Sequence, residues 1–390
     1  MRILFVADGR SATALNWIRY FVERGDEVFL ASTFACQPDL RLSGLEIVPV
    51  AFSSVKSAAS GAVRSRTAPL WGASALQLRT SLRQWFGPLT IPRAAQRLRG
   101  MVERTQPELV HAMRIPYEGM LAAEAAGTVP LLVSVWGNDF TLHASSTPLM
   151  RYYSEWTLKV ADALHADCQR DIRLGRQWGF GTEKPTLVIP GSGGIRGDVF
   201  FPPRQAAETP LVVNPRGFRA YVRNDSFFQA IPLVLKERPD ARFACAAMAG
   251  EPQVLEWIEK LGISHAVELL APRPHLEMAT LFRSAQVVVS PTTHDGTPNS
   301  LLEGMACGCF PVAGDLDSIR EWIRSGENGL LVDAGDPQAL ATAILRALND
   351  AALRSRAAEL NTALIAERAE YTGGMARAAE FYKRLMRNTT

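Results

Sequence analysis

The stretch HDGTPNSLLEGMACG, His294 to Gly308, decides how this chain is read. It follows QVVVSP (Gln286 to Pro291), an apolar, β-branched run that predicts a buried parallel strand. A turn at Asp295-Gly296 comes next. Thr297 is expected to cap a helix, and Pro298 to hold its first position, where a missing N–H costs nothing. The helix carries Leu301, Leu302 and Met305 to a stop at Gly308. Free N–H groups and the helix dipole favour an anion at such a start, here at Asn299 and Ser300. Asp295 and Glu303 bracket it as acceptors for hydroxyl groups. Phosphate on the helix start, with hydroxyls on the carboxylates, outlines a nucleotide-sugar site.

The rest of the second half supports a parallel sheet. Strands are expected near residues 211–213, 242–247, 267–270, 286–290, 311–313 and 330–332, with helices between them. The first half opens as a βαβ unit: strand Arg2 to Asp8, helix Ala14 to Gly25, strand Glu27 to Ser32. Further strands are expected at Leu45 to Ala51, Glu108 to Met113, Leu131 to Val135, Ala163 to Cys168 and Thr186 to Pro190. The first loop lacks G-x-G-x-x-G, and Gly191 to Gly197 (GSGGIRG) has Arg196 at the last glycine position, which argues against a dinucleotide cofactor. Phe201-Pro202-Pro203 and the polar run to Thr209 read as a linker.

Composition narrows the class. With 390 residues the chain has room for two or three domains, and 47% hydrophobic with 21% charged residues is ordinary for a globular enzyme. A net charge of +3 does not point to nucleic acid. Five scattered cysteines (Cys36, Cys168, Cys245, Cys307 and Cys309) do not form a disulfide framework. MRILFVADG reads as a first strand and not as a signal peptide, so a cytoplasmic protein is expected. Residues 47 to 102 hold eight basic residues and no acid: Lys56, Arg64, Arg66, Arg79, Arg83, Arg93, Arg97 and Arg99, with Trp71, Trp85 and Phe86 among them. Such a segment suits peripheral contact with an anionic membrane on its inner face, or an acidic acceptor; the plainer reading is an arginine-rich solvated face.

The central stretch resembles the signature of the retaining glycosyltransferases of family 4, whose fold is GT-B. The family pattern places Glu, seven residues, then Glu within E-G-x-P-x-x-x-x-E-A-M-A-x-G. Here Asp295 replaces the first Glu and Gly304 the usual Ala. The likeness continues through PVAGDLDSIREWIRSGENGLLVDAGDPQALATAILRAL and covers roughly Pro210 to Leu348. It implies an α/β GT-B architecture, two Rossmann-like doubly wound parallel-sheet domains facing across a cleft. The expected division is 1–195 on the acceptor side, 196–370 for the nucleotide sugar, and 371–390 as a helix returning to the first domain. It also implies transfer of a sugar from a nucleoside diphosphate sugar, a UDP- or GDP-sugar, to a hydroxyl acceptor. The nucleotide sugar is then a substrate, and neither a cofactor nor a metal is expected.

The resemblance assigns roles residue by residue. Asp295, Arg216 and Arg219 are expected at the transferred sugar and diphosphate, with Arg223 in reserve, and His111 in an element resembling the family's Asp-Val-Val-His. Glu303 is expected on the ribose, with Gly296, Thr297, Asn299 and Ser300 around the phosphates, and Pro272 and Arg273 in the loop that holds the base. Gly9, Arg10, Trp136 and Asp139 are expected on the acceptor side; Trp136 stands where many members have His. Asp315-Leu-Asp317 spells D-x-D but falls where the family has turn and cap chemistry. Two other readings are open: a GT-B phosphorylase or non-hydrolysing epimerase, and a sugar-nucleotide-binding protein without turnover.

Overall fold

The structure, a computed structural model, describes residues 1–53, 81–205 and 207–387. Lys56, Arg64, Arg66, Trp71 and Arg79 of the acid-free segment lie outside the described residues. The chain divides into two units, Met1–Ser192 with Met375–Thr390, and Gly193–Gly374.

The first unit is built on seven parallel strands: β1 (Arg2–Ala7), β2 (Glu27–Ser32), β3 (Gly44–Ile47), β4 (Leu109–Ala112), β5 (Leu131–Val135), β6 (Ala163–Ala166) and β7 (Thr186–Val188). Their order is β3-β2-β1-β4-β5-β6-β7. Central strands such as LVHA of β4 and LLVSV of β5 are buried on both faces, as helices on both sides of a parallel sheet require. The edge strand β3 alternates instead between half-buried and exposed. It is shorter than the sequence suggests: Pro49 has no N–H for the ladder, and Ala51 and Phe52 turn the chain at φ 51° and 61°. Helix starts follow local chemistry. Ser11 accepts from the Ala14 N–H at 3.3 Å ahead of helix Ala12–Glu23, and Thr147 from Met150 at 3.2 Å with Pro148 behind it.

A buried hydrogen-bond relay crosses this unit. Trp17 Nε1 donates to the Tyr382 hydroxyl at 2.8 Å, and that hydroxyl lies 2.5 Å from His111 Nδ1. His111 Nε2 is 2.7 Å from Ser134 Oγ, which is 2.8 Å from His165 Nδ1; His165 Nε2 is 2.9 Å from the Ile189 carbonyl. An indole N–H only donates and a carbonyl only accepts, so both ends set the direction. Every proton points from Trp17 towards Ile189, and both histidines are neutral with the proton on Nε2. Burial holds His165 down to about 4, and burial, helped by His165, holds His111 well below the ordinary value. The final helix, Tyr371–Arg387, enters the relay through Tyr382, whose ring also stacks on Phe21 at 4.7 Å. Tyr382→Phe keeps the stack but orphans the Trp17 N–H and His111 Nδ1. It is expected to cost about 1–3 kcal/mol, read as a lower urea midpoint for the unfolding of this unit; an unchanged midpoint would contradict the relay's role.

The second unit carries six parallel strands: β8 (Leu211–Asn214), β9 (Arg242–Cys245), β10 (Val267–Leu269), β11 (Val287–Ser290), β12 (Phe310–Gly314) and β13 (Leu330–Val332). Their order is β10-β9-β8-β11-β12-β13. Phe227, Phe243, Val289, Phe310 and Leu340 sit in one apolar layer, and Val288, Leu301, Leu302 and Met305 in the other. Fully burying one such side chain contributes roughly 1.5–3 kcal/mol. Gly304 makes the second layer tight: a Cβ there would stand 3.0 Å from the Val288 side chain, so glycine lets helix Asn299–Ala306 approach β11 closely. The segment holding Glu321 is a series of turns over residues 317–322, where the sequence predicts a helix between the strands. Asn328 interrupts it: its side chain accepts from the Arg324 N–H at 2.7 Å and donates to the Trp322 carbonyl at 2.9 Å. Asp315 and Asp317 both meet Arg320.

Candidate functional site

In each sheet the strand order reverses once, between β1 and β4 and between β8 and β11. Loops leaving the carboxyl ends of such a pair diverge to opposite faces and open a crevice, where open α/β sheets bind ligands. In the second unit those loops carry Arg216 and Asp295.

Asn214, the last residue of β8, is fully buried and sets the first loop. Its Oδ1 accepts from the Arg216 N–H at 3.1 Å, and its Nδ2 donates to Asn224 Oδ1 at 3.0 Å. Asn224 in turn holds the Gly217 carbonyl at 3.0 Å. Arg216, 9% exposed, is thereby aimed across the switch point, where Nη2 pairs with Asp295 and Nη1 donates to Ser300 Oγ at 3.2 Å. Its Nε is buried with no partner. On the facing loop, Ser318 Oγ donates to the Asp295 carbonyl at 2.7 Å, and Asp295 Oδ1 accepts from the Gly296 N–H at 3.1 Å. Thr297 is not the cap: Pro298 occupies that position, and the Thr297 hydroxyl accepts from Trp322 Nε1 at 3.0 Å. With the helix starting at Asn299, Pro298 can offer no side-chain acceptor; its carbonyl takes the Leu301 and Leu302 N–H groups at 3.0 and 3.2 Å, which leaves those of Asn299 and Ser300 for another partner.

Glu303 sits one turn inside that helix. Its carboxyl makes no hydrogen bond among the described residues, and burial pushes it up to about 7 despite the nearby Arg216 cation. Asn299 Oδ1, Ser290 Oγ and Thr292 Oγ1 are likewise buried without a hydrogen-bond partner. Unpaired polar atoms are rare in protein interiors, and several on one loop cluster mark a place shaped for a polar ligand.

The side chains of other expected residues have partners of their own, although the loop of Arg219 and Arg223 is tied to the β11 loop by the Arg223 N–H, which donates to the Pro291 carbonyl at 2.8 Å. Arg219 is exposed and bonds the Tyr221 hydroxyl at 2.8 Å, while Arg223 grips Asp225 through two bonds of 2.9 and 2.8 Å. Pro272 and Arg273 are exposed beyond β10, with Arg273 3.2 Å from Glu277.

The first unit's switch point holds a pocket of about 340 Å³. Gly9 and Arg10 follow β1. A Cβ at Gly9 would stand 2.4 Å from Cys36 Sγ, so a side chain there would have to displace Cys36, and the Gly9 N–H donates to Ser32 Oγ at 3.0 Å. Arg10 is clamped by Asp8 and lies 3.7 Å over the Phe34 ring. Beyond β4 the chain bends sharply at Tyr117, φ 67°, a strained value of the kind found at binding sites. Trp136, following β5, lines the pocket together with Arg83 and Arg114.

Two expectations on this side are corrected. Asp139 is fully buried; its carboxylate accepts from Arg114 at 2.7 and 2.9 Å and from the Trp136 and Ile115 N–H groups, so it braces the loop and has no lone pair exposed to an acceptor. His111 is fully buried with both ring nitrogens engaged in the relay, a packing role and not a catalytic one. Ser318, Trp322 and Arg114 had no signal in the sequence, because each acts through a neighbour more than twenty residues away; Asn214, at the end of its strand, had none either, and Arg83 stood out only as one of the basic residues of the acid-free segment.

Two doubly wound units, each with a polar crevice at its switch point, have the architecture of the GT-B class. Residues 209–350 match the family model described as glycosyl transferases group 1, and residues 8–191 match that of the glycosyl transferase 4-like domain. The chain belongs to the family-4-like glycosyltransferases. It is 28% identical over 250 residues to D-inositol 3-phosphate glycosyltransferase of Thermobispora bispora, covering 58% of this chain and 57% of that protein. It is 32% identical over 159 residues to the enzyme of the same name from Corynebacterium urealyticum, 38% of each. The alignments thus span less than two thirds of these relatives. Among solved structures, sucrose-phosphate synthase from Thermosynechococcus elongatus matches with a TM-score of 0.74 at 14% identity over the whole of both chains. Anabaena HepE in complex with UDP-glucose matches at 0.72 and 18%, covering 98% of this chain and 100% of that one. These share the fold.

Proposed function

We propose that this protein transfers a sugar from a nucleoside diphosphate sugar, a UDP-sugar first among the candidates, to a hydroxyl acceptor, with retention of anomeric configuration. One observation carries the reading: the β8/β11 switch point combines a buried arginine, an uncapped helix start and two carboxylates, and several of its polar atoms lack partners. Arg216 and the N–H groups at Asn299 and Ser300 suit a diphosphate. Glu303 suits ribose hydroxyls, and Asp295 the transferred sugar. Departure of the diphosphate leaves negative charge on the leaving group and positive charge on the sugar, and Arg216 and Asp295 match these signs. The crystallised HepE complex with UDP-glucose supports a uridine donor.

The acceptor belongs with the first unit's pocket. Trp85, Phe86 and Leu89 are exposed just before helix Ile91–Thr105, which presents Arg93 and Arg97 to solvent. This surface suits peripheral contact with an anionic membrane; among the described residues no helix is long and apolar enough to cross one. The test is turnover of labelled UDP-, GDP- and ADP-sugars with a panel of hydroxyl acceptors, followed by the anomeric configuration of the product. Donor consumption that depends on acceptor, with retention, supports the proposal. Phosphate-dependent cleavage or conversion without acceptor would favour a phosphorylase or an epimerase instead.

A further inference from the structure

We infer that the first unit's pocket binds an acceptor carrying an oxyanion beside its hydroxyl, a phosphate ester or a carboxylate, and that Arg83 and Trp136 recognise it. This rests on the proposed transfer and names the chemistry of its second substrate.

Three guanidinium groups line the pocket. Arg10 is neutralised by Asp8, with two bonds of 2.9 Å, and Arg114 by Asp139. Arg83 has no carboxylate within ion-pair distance among the described residues, and its Nε is buried without a hydrogen-bond partner. Its guanidinium carbon lies 5.1 Å from the Phe34 ring and 4.7 Å from the Tyr117 ring. Guanidinium groups rest on aromatic faces in this way while their in-plane N–H groups stay available. The Trp136 indole nitrogen is the second buried atom of the pocket without a partner.

Both orphaned atoms are donors. A pocket shaped around a neutral sugar would be expected to leave acceptors open as well, since hydroxyls donate as readily as they accept. The remaining titratable groups fit this polarity. Desolvation, with the Arg114 cation beside it, lowers His143 to about 4, which leaves it neutral. Glu118 is buried, takes the Thr33 hydroxyl at 2.6 Å and is raised by burial. The unmet requirement is therefore for negatively charged, acceptor-only oxygens, which a fork-shaped cation binds through paired hydrogen bonds.

The test uses the full chain saturated with UDP, so that phosphate cannot report on the second unit. Glycerol 3-phosphate, glycerate and glycerol are titrated by calorimetry. Vesicles of phosphatidylinositol in phosphatidylcholine form a parallel arm that separates a lipid headgroup from a free phosphate. Glycerol 3-phosphate, glycerate or the vesicles should bind at least tenfold more tightly than glycerol or phosphatidylcholine alone. Arg83→Gln should weaken that binding at least tenfold, Arg83→Lys should restore part of it, and Trp136→Phe should weaken it severalfold, with UDP affinity unchanged in all three. Binding indifferent to Arg83→Gln, or glycerol bound as tightly as its phosphate, overturns the inference. If UDP fails to bind the wild type, the donor reading falls, and the same titrations without UDP still decide the anion site through Arg83→Gln.

Discussion

Asp295→Asn is expected to lower sugar transfer about a hundredfold while UDP binds as tightly as before, or several times more tightly. The two effects have one cause. In the resting site the Asp295 carboxylate holds Arg216. When the diphosphate departs, the sugar carries positive charge, and a fixed carboxylate beside it contributes stabilisation that an amide does not. Losing one preorganised electrostatic group of this kind costs about 10²–10³ in rate. The free diphosphate, by contrast, is repelled by Asp295 and must share Arg216 with it. Removing the charge releases the cation and leaves the fold intact, because asparagine still offers an oxygen to the Gly296 N–H that Asp295 now accepts at 3.1 Å. Initial rates with a UDP-sugar, set beside calorimetry with UDP, check both halves. Equal losses in rate and in UDP affinity would assign Asp295 to the nucleotide.

Glu303→Gln should act in the opposite sense on binding and on stability. Ribose hydroxyls donate to a carboxylate, and bonds to a charged group are worth about 1.5–3 kcal/mol each; the amide should weaken UDP-sugar binding tenfold or more. Its effect on folding follows from the raised pKa. The folded protein holds a proton on Glu303 up to about pH 7, whereas the unfolded chain releases it near 4.5. Between those values the folded state binds more protons, so stability is full below about 4.5 and is lost as pH rises through 7. That rise corresponds to a loss of at most about 3 kcal/mol at pH 8. The glutamine variant avoids it and should melt above the wild type at pH 8, with the gap closing at pH 5. Binding should also expel the wild type's proton near pH 6.5, seen as a buffer-dependent heat with UDP-glucose that the variant lacks. A variant less stable at pH 8 would mean that the carboxylate has a partner in the folded protein.

The parallel strands were legible because β-branched apolar runs between turn residues leave few alternatives, and the Asp295 to Gly308 stretch points by itself to nucleotide-sugar chemistry. What escaped the sequence was pairing at long range. His111 looked catalytic because an imidazole in an apolar strand has two explanations, and the deciding contact, Tyr382, lies 271 residues away. Asp139 was read as facing a ligand, yet Arg114, 25 residues earlier, claims it. Thr297 was displaced by one position, since both Thr297 and Pro298 suit the start of a helix and Trp322 offers the threonine a different bond. Arg83 was one of eight basic residues in an acid-free run, and only its burial against Phe34 and Tyr117 distinguishes it.

The central claim is that the β8/β11 switch point binds the diphosphate. Calorimetric titration of UDP and of uridine into the wild type and Arg216→Gln tests it most directly. UDP should bind the wild type far more tightly than uridine, and the variant should lose most of that ratio while binding uridine normally. A ratio unchanged by Arg216→Gln would contradict the account and place the phosphates elsewhere.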